Sequence, residues 1–496
     1  MKILVANRGE IAVRIIKACR DLGFSSVAVF SDSDREALHT RYADEAVYIG
    51  PTPASQSYLN MDAILAAARK TKADAIHPGY GFLSENAAFA RQVENAGLTF
   101  IGPSPQSIAL TGDKLAARKL AHQAGVPVLP GSEFKLGRSG IPSAIGEEIG
   151  YPVLVKAVSG GGGRGIRLAC SDEELAQVVL SASQEAKLAF GDDQVYVEKF
   201  IRPARHIEVQ ILGDGKGNLL IIGERECSIQ RRHQKLIEEA PAPGLDKEVR
   251  ARIYESARQV GLALNYRSLG TVEFLLDADQ NYYFIEVNPR IQVEHPVTEM
   301  VTGIDLVNTQ LLLAVTGCLT LQQEQVAMRG TAIEARIIAE DPEQSFMPTS
   351  GQVDYLKIPS GSGIRVDSAL YQGMCISTDY DSLIAKLIVW GEDRSTAIRR
   401  MIAALDDFNL AGVTTDLGYL RDVVRSEEFL SGQVDTMYLE TFRSVEAMDT
   451  EKMEQDAALA AALYIHKRVR QKAPQTHSDA NQWRNAAWRE QMVGFF

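Results

Sequence analysis

Two glutamates are expected to face each other across a hairpin. Residues 271–288 read as two strands joined by a turn at 277–281. A turn centred on Asp279-Gln280 places Glu273 opposite Glu286, with their Cβ atoms about 4.5–5.5 Å apart. Two carboxylates at that distance repel each other, and a bridging divalent cation such as Mg²⁺ or Mn²⁺ relieves the repulsion. The alternative is a solvated sheet edge with a different register.

The return strand continues as an alternation of polar and apolar residues. Its polar positions are Glu286, Asn288, Arg290, Gln292 and Glu294. Residues two apart share one face of a strand, so a metal ligand, an anion clamp and a general base are expected along one line. Pro289 cannot donate to the ladder, so the end of the run is expected to leave the sheet. An ordinary half-exposed strand would show the same alternation.

A glycine-rich loop follows a predicted strand at residues 151–157. It contains Gly160, Gly161, Gly162 and Gly163. Glycine lets a backbone approach a phosphate closely and bend as a lid. Lys156 adds a positive charge at the end of the strand, and Arg164 and Arg167 add two more. The spacing is not that of a Walker P-loop, and the alternative is a flexible linker.

A basic cluster lies at Gln230-Arg231-Arg232-His233-Gln234-Lys235. Such runs are usually solvated, but the segment that follows is not linker-like, which favours a local anion site. Lys114 lies at a predicted helix start, where phosphate binding is favourable. His206 alone is more often a structural histidine than a ligand. Together the features predict an ATP site with one or two Mg²⁺ ions, cationic phosphate clamps and an acceptor pocket.

Length, composition and net charge indicate the number of domains and the class of protein. The chain has 496 residues, which predicts about three domains, and its 45% hydrophobic and 23% charged residues exclude wholesale disorder. The net charge of −12 shows no global nucleic-acid signature. Five scattered cysteines, no signal peptide and no long apolar run predict a cytoplasmic protein without a membrane span.

The order of elements predicts α/β and α+β domains. Apolar runs at 3–6, 27–30, 75–77 and 99–101 alternate with helical patterns, as in a parallel α/β unit. The first turn contains only Gly9, so the dinucleotide fingerprint is absent. The last fifty residues predict an Ala-rich helix at 457–470, a polar stretch at 475–482 and a short helix with Trp483, Trp488 and Met492.

Five motifs in this order resemble the biotin carboxylase family. They are Asn7–Ala12, His77–Asn86, the glycine loop Gly160–Gly165, Arg225–Lys235 and Arg290–Pro296. The resemblance covers about residues 1–445 and implies three domains: a Rossmann-like N-terminal domain (1–113), a central ATP-grasp domain (114–329) with a mobile glycine-rich lid at about 130–203, and a biotin carboxylase C-terminal domain (330–445). Residues 446–496 would be a helical extension that is expected to dock a partner.

The resemblance also implies a reaction and a role for each matching residue. ATP would phosphorylate bicarbonate to carboxyphosphate, whose CO₂ would carboxylate biotin. Nucleotide-binding residues would be Lys114, Lys156, Gly160–Gly163, Glu198, Lys199, Ile201, His206, Gln230, His233 and Glu273. The metals would be held by Glu273, Glu286 and Asn288, and bicarbonate by Lys235, Arg290, Gln292 and the Val293 backbone. Glu294 would be the base, Arg336 would stabilise the biotin enolate, and Arg290 and Lys235 would complete the catalytic set.

The same resemblance implies partners. No Ala-Met-Lys-Met biotinylation sequence occurs, so biotin is expected on a separate carrier or carboxyltransferase subunit. The tail is similar to the extension of the biotin carboxylase subunit of two-subunit pyruvate carboxylases. Pyruvate is therefore the expected acceptor, with acetyl-CoA, propionyl-CoA and 2-oxoglutarate as alternatives, and a homodimer is expected.

Two rival functions remain at this point. An inactive ATP-binding scaffold should lack at least one of Glu294, Arg336, Glu286 and Lys235, and all four are present. Another ATP-grasp ligase, such as a carbamoyl-phosphate-forming enzyme, would not be expected to combine Gln292-Val293-Glu294 with Arg336.

Overall fold

The computed structural model describes residues 1–131, 149–158, 166–190, 193–442, 458–464 and 466. The predictions for Gly160–Gly163, Arg164 and the tail beyond 466 lie outside these residues. Residues Met1–Phe442 and Arg443–Phe496 form two separate compact units. In the second unit, residues 458–464 and 466 are helical, in agreement with the predicted Ala-rich helix.

The N-terminal part is a parallel sheet with helices, as predicted, and it has five strands where four apolar runs were expected. Its strand order is β3-β2-β1-β4-β5. The strands are β1 (Lys2–Val5), β2 (Ser25–Ser31), β3 (Glu45–Gly50), β4 (Ala75–His77) and β5 (Thr99–Phe100), and the helices are α1 (Gly9–Asp21), α2 (Leu38–Tyr42), α3 (Met61–Thr71), α4 (Ala87–Asn95), α5 (Pro105–Gly112) and α6 (Lys114–Gln123). Helix α1 buries Ile11, Ile15, Ile16 and Cys19 along one face. Gly9 begins this helix at a φ of 64°, a conformation that favours glycine.

A small antiparallel sheet follows. It has the order β7-β6-β8 and consists of β6 (Val153–Ala157), β7 (Arg167–Ala169) and β8 (Val195–Lys199), with helix α7 (Asp172–Phe190) between the last two strands. Val153, Val155, Val195 and Val197 pack with Leu175 of α7 in one apolar cluster.

The largest element is an antiparallel eight-stranded sheet with the order β13-β12-β9-β10-β11-β14-β21-β19. Its first five strands in chain order are β9 (Ala204–Asp214), β10 (Leu219–Arg231), β11 (Gln234–Ala240), β12 (Arg267–Asp277) and β13 (Tyr282–Asn288), accompanied by α8 (Lys247–Ala263), α9 (His295–Thr302) and α10 (Leu306–Thr316). Helix α8 buries Val249, Ile253, Ala257 and Val260, which pack in one apolar cluster with Ile207, Val209 and Ile211 of β9.

The remaining strands extend this sheet and add short ribbons. They are β14 (Thr331–Ile338), β15 (Glu340–Asp341), β16 (Met347–Pro348), β17 (Gly351–Gln352), β18 (Tyr355–Lys357), β19 (Ile364–Ser368), β20 (Cys375–Ile376), β21 (Leu383–Gly391) and β22 (Asn409–Ala411); the helices are α11 (Arg394–Asp407), α12 (Leu417–Val423), α13 (Glu427–Ser431) and α14 (Tyr438–Thr441). Because β11 pairs with β14, the sheet runs without interruption across residue 330. Among the described helices, none is long and apolar enough to cross a membrane. All five cysteines are free thiols.

Candidate active site

The hairpin of β12 and β13 places Glu273 directly opposite Glu286, as predicted. The position of the turn differs from the expectation. The pairs Phe274–Phe284 and Leu276–Tyr282 centre the turn on Asp279 alone, and a β-bulge next to the glutamates restores the pairing. Two carboxylates on directly paired residues therefore lie at the edge of the large sheet.

A third glutamate, which was not predicted from the sequence, extends this pair. Glu208 on β9 is the register partner of Glu273, so Glu286, Glu273 and Glu208 form a row across three strands. The side chain of Glu208 is fully buried. A signal was present: His206, Glu208 and Gln210 alternate with Ile207, Val209 and Ile211, the same period-two pattern that revealed the return strand.

Arg225 on β10 lies next to this row, on the opposite side of β9 from β12. It pairs in register with Glu208 and is fully buried. Its guanidinium donates to Glu208 Oε1 (2.5 Å), Gln210 Oε1 (2.9 Å) and Gln292 Oε1 (2.7 Å), and to the hydroxyls of Thr271 and Thr298. A buried cation with five acceptors fixes the orientation of the side chains around it.

Glu273 is the most heavily bonded carboxylate of the row. Its Oε1 accepts from Asn288 Nδ2 (2.8 Å), Gln292 Nε2 (2.9 Å) and Lys235 Nζ (3.0 Å), and its Oε2 accepts from His206 Nε2 (2.9 Å). Burial opposes its ionisation, but Lys235 and His206 outweigh burial and hold the pKa of Glu273 well below its usual range. Glu273 is therefore an anion at neutral pH.

Lys235 joins three carboxylates. Its Nζ donates to Glu208 Oε2 (2.5 Å), Glu273 Oε1 (3.0 Å) and Glu294 Oε1 (2.7 Å). Burial opposes its charge, but these three anions raise the pKa of Lys235 well above its usual value. The basic cluster is thus the tip of a hairpin: Arg232 and His233 form the turn between β10 and β11 at positive φ, and Lys235 points back into the site.

Glu294 lies between two cations. It accepts from Lys235 through Oε1 and from Arg336 Nη2 (2.9 Å) through Oε2. Burial opposes its ionisation, but Lys235 and Arg336 hold the pKa of Glu294 below its usual range. Arg336 Nε in turn donates to Glu238 Oε1 (2.6 Å). The sequence therefore brings a base candidate and two cations from β11, β14 and the start of α9 to one point.

The segment after β13 corrects one prediction. The strand ends at Asn288, as Pro289 predicts, so Arg290, Gln292 and Glu294 do not continue a two-residue alternation along one strand face. The loop brings them to the site nonetheless. Gln292 bonds Glu273, and Arg290 Nη2 donates to Asn288 Oδ1 (3.2 Å) while its Nε bonds Glu85.

One further contact fixes this loop. The Val293 carbonyl accepts from Lys386 Nζ (2.9 Å), a fully buried lysine on β21 that also pairs with Glu10. Neither Lys386 nor Glu85 was predicted, because each is distant in the chain from the residues it supports.

The predicted nucleotide residues lie on different elements. Lys156 of β6 forms an ion pair with Glu198 of β8, and Lys199 Nζ donates to the carbonyls of Gly150 (2.9 Å) and Tyr151 (3.0 Å). Ile201 follows β8 and is half-buried. Gln230 Nε2 lies 2.6 Å from His206 Nδ1, so it orients the histidine that bonds Glu273.

Lys114 lies at the start of α6, as predicted, with its Nζ 3.7 Å from Glu286. The helix start itself is already capped. Asp113 accepts the backbone N–H groups of Leu115 and Ala116, each at 3.0 Å. Lys114 therefore offers the site its charge, while the amides of the first turn are occupied by the chain's own carboxylate.

The donor set fits a hard divalent cation. Glu273 and Glu286 present carboxylates from directly paired residues, and His206, Glu208 and Glu273 offer ligand atoms that all lie within 4.8 Å of one another. Oxygen-rich donor sets suit Mg²⁺ or Mn²⁺. With Lys235, Arg336 and Arg290 alongside, the arrangement can hold a metal, bind small anions and keep a carboxylate ready as a base.

Three family descriptions match consecutive parts of the chain. "Biotin carboxylase, N-terminal domain" matches residues 1–108, "Carbamoyl-phosphate synthase L chain, ATP binding domain" matches 113–322, and "Biotin carboxylase C-terminal domain" matches 334–441.

Curated relatives agree with these matches. Biotin carboxylase of Pseudomonas aeruginosa is 50% identical over 440 residues, which cover 88% of this chain and 98% of that protein. The mitochondrial propionyl-CoA carboxylase alpha chain of Mus musculus is 46% identical over 484 residues, which cover 96% of this chain and 67% of that protein.

Solved structures match as well. The biotin carboxylase domain dimer of Hydrogenobacter thermophilus 2-oxoglutarate carboxylase, in complex with MgADP, ADP and bicarbonate, superposes with a TM-score of 0.86 at 46% identity, covering 88% of this chain and 97% of that one. A biotin carboxylase subunit of pyruvate carboxylase superposes with a TM-score of 0.76 at 48% identity, with the same coverages. With 50% identity over 440 residues to a relative of which it covers 98%, the chain belongs to the biotin carboxylase family.

Proposed function

We propose that the chain carboxylates biotin at the expense of ATP and bicarbonate, through carboxyphosphate. The observation that carries the proposal is the position of Glu294 between Lys235 (2.7 Å) and Arg336 (2.9 Å). The two cations keep Glu294 ionised, so it can accept the bicarbonate proton as a general base. The same cations then face the negative charge that develops on the substrates.

Bicarbonate is assigned to the loop that follows β13. Lys235, Arg290 and Gln292 offer side-chain donors, and the Val293 backbone completes the set. Arg290 is held at its Nε by Glu85 and at its Nη2 by Asn288, so its orientation is set before an anion arrives. A planar guanidinium beside an ammonium group suits a small planar oxyanion.

The metal is assigned to Glu273, Glu286 and Asn288. Bound there, Mg²⁺ would neutralise the phosphate charge during phosphoryl transfer. The chain contributes the strand register that places the two glutamates opposite each other. It also contributes the Asn288 amide, which orients Glu273.

ATP is assigned to the elements around this row. Lys114, Lys156 and His206 supply charge to the phosphates, together with Gly160, Gly161, Gly162 and Gly163. Glu198, Lys199 and Ile201 would line the adenine pocket, with His233 near the ribose, and Gln230 would be a further nucleotide-binding residue. The ion pair of Lys156 with Glu198 and the contact of Lys114 with Glu286 support this assignment, because each lysine is held at the site by an acid.

Biotin would arrive in trans on a carrier, and Arg336 would stabilise its enolate oxygen. Arg336 is anchored at Nε by Glu238. When Glu294 takes the bicarbonate proton, its hold on Arg336 Nη2 weakens, and that end of the guanidinium becomes available to biotin. The partners would be a carrier and carboxyltransferase subunit, and the chain would act as a homodimer.

The final acceptor proposed is pyruvate, supported by the likeness to a biotin carboxylase subunit of pyruvate carboxylase. A second candidate is propionyl-CoA. It is favoured by the 484 matched residues of the mouse alpha chain, against 440 for the bacterial biotin carboxylase, because the longer match reaches into the tail. Purified with its carboxyltransferase partner, the chain should support [¹⁴C]bicarbonate incorporation into pyruvate; incorporation into propionyl-CoA alone would reverse this order.

The half-reaction is tested on the chain alone. ATP cleavage with Mg²⁺ should require bicarbonate and should rise when free biotin is added. Cleavage that is independent of bicarbonate would point to another ligase, and tight ATP binding without cleavage would point to an inactive scaffold.

A further inference from the structure

A second pair of opposed glutamates lies behind Arg336. Glu238 on β11 and Glu334 on β14 are register partners, and both side chains are fully buried. Directly opposed residues on paired strands have Cβ atoms about 4.5–5.5 Å apart. The arrangement repeats that of Glu273 and Glu286, but in the interior of the sheet instead of at its edge.

The hydrogen bonding of this pair is incomplete. Glu238 Oε1 accepts from Arg336 Nε (2.6 Å). Glu238 Oε2 and both oxygens of Glu334 have no hydrogen-bond partner within the described part of the chain. A buried, unbonded carboxylate costs several kcal/mol, and two adjacent ones repel each other as well.

The groups that face the pair come from every neighbouring element. They are Lys235 on the same strand as Glu238, Cys227 from β10, Arg336 from β14, Glu294 at the start of α9, and Lys386 from β21. The near cations are already engaged: Lys235 bonds three other carboxylates, and Lys386 bonds the Val293 carbonyl and Glu10. Arg336 is the cation that bonds the pair directly, so it compensates one negative charge and not two.

We propose that Glu238 and Glu334 share one proton, and that this singly charged pair is the positioning device that anchors Arg336 for the carboxylation of biotin. Glu334 holds the proton and donates it toward Glu238, and Glu238 keeps its charge for Arg336 Nε. The inference rests on the proposed function, because it gives a purpose to the orientation of Arg336. Glu238 and Glu334 are positioning residues, since they act on biotin only through Arg336.

The pair predicts a pH dependence specific to the biotin step. Burial raises the pKa of Glu238 to about 7, and burial raises that of Glu334 well above its usual range. Below about pH 7 Glu238 gains a proton, its charge is lost, and Arg336 loses the anchor at Nε. The rate of biotin carboxylation therefore falls as pH decreases through this value, and it falls more steeply than ATP cleavage without biotin.

The test measures ADP release from pH 5.5 to 9, with bicarbonate and with or without free D-biotin. Glu238→Gln should lower the biotin-dependent kcat about tenfold at high pH and abolish the inflection. Glu334→Leu removes the donor to Glu238 and should move the inflection up by about one pH unit, while Glu334→Gln supplies an amide donor and should keep it in place. Glu239→Gln is the matched control, because Glu239 is the next buried residue of β11 and bonds Arg394 instead.

Two results overturn the inference: an unchanged inflection in Glu238→Gln, or equal shifts in Glu334→Leu and Glu334→Gln. If Glu238→Gln does not fold, the inference is tested by comparing the inflection of Glu334→Leu with that of Glu334→Gln. A wild-type chain without bicarbonate-dependent ATP cleavage would refute the proposed function itself. Normal wild-type cleavage with an unmoved inflection in the variants would refute the proton-sharing pair alone.

Discussion

Glu294→Gln is the most direct test of the proposed base. The substitution keeps the size of the side chain but removes the charge that Lys235 and Arg336 bond. A glutamine cannot accept the bicarbonate proton, so carboxyphosphate formation should slow while ATP still binds.

The expected losses of rate and of stability follow from the role and the contacts of Glu294. General-base catalysis contributes about 10²–10⁴-fold, which corresponds to about 3–5 kcal/mol. The fold should survive, because Lys235 keeps Glu208 and Glu273 and Arg336 keeps Glu238. The glutamine side chain has one acceptor oxygen where the carboxylate of Glu294 has two, so one of the two cations loses its acceptor. The free energy of unfolding should therefore fall by about 1.5–3 kcal/mol.

The assay is bicarbonate-dependent ADP release, read beside ATP binding by calorimetry and unfolding by urea. Glu299→Gln is the matched control: Glu299 lies on α9, is buried, and also bonds two cations, Arg14 and Arg365. The control should lose comparable stability and keep bicarbonate-dependent cleavage. Retention of more than a tenth of the wild-type rate by Glu294→Gln would remove Glu294 from its role.

Three further outcomes are expected. Burial lowers the pKa of His39 to about 4, so between pH 6.5 and 4 the unfolded chain binds a proton that the folded chain does not. The free energy of unfolding should therefore fall as pH drops through this range, and His39 should account for about 2 kcal/mol of the loss at pH 5. His39→Gln should remove that part of the pH dependence in urea titrations. Arg225→Met should cost about 3–5 kcal/mol because it leaves Glu208 with one cation fewer, whereas Arg425→Ala, which breaks an exposed pair, should cost under about 1 kcal/mol in the same titration; similar losses would contradict the argument. Glu286→Gln should raise the Mg²⁺ concentration for half-maximal ATP cleavage about tenfold, while Glu255→Gln on the exposed face of α8 should not, and an unchanged Mg²⁺ requirement would remove Glu286 from the metal site.

Period-two alternation predicted the part of the site that lies on half-buried strands. Glu286 and Asn288 lie on β13, where one face meets the core and the other meets the site. Strand periodicity ends at Pro289, since the residues beyond it are positioned by contacts with β10, β11 and β21 and not by strand geometry. The convergence of Gln292 and Glu294 and their departure from the sheet after Pro289 were expected, but the contacts that hold the loop were not.

The glutamate pair behind Arg336 could not be found in this way. Strand β11 is buried on both faces from Leu236 to Ala240, so Glu238 shows no alternation against apolar neighbours. Its partner Glu334 lies 96 residues further along the chain. Pairing between strands so distant depends on the order of strands in the sheet, which local sequence pattern does not encode.

The bulge between the glutamate pair and the turn of the β12–β13 hairpin separates two registers. The pairs nearest the turn follow the length of the turn, whereas Glu273 and Glu286 are held by neighbours on β9 and in the loop after β13. Insertion or deletion of one residue in 277–281 can therefore be absorbed by enlarging or erasing the bulge, without sliding one carboxylate past the other. The exposed tip of this hairpin is free to vary in length during evolution, and it is a suitable position for a genetically inserted label.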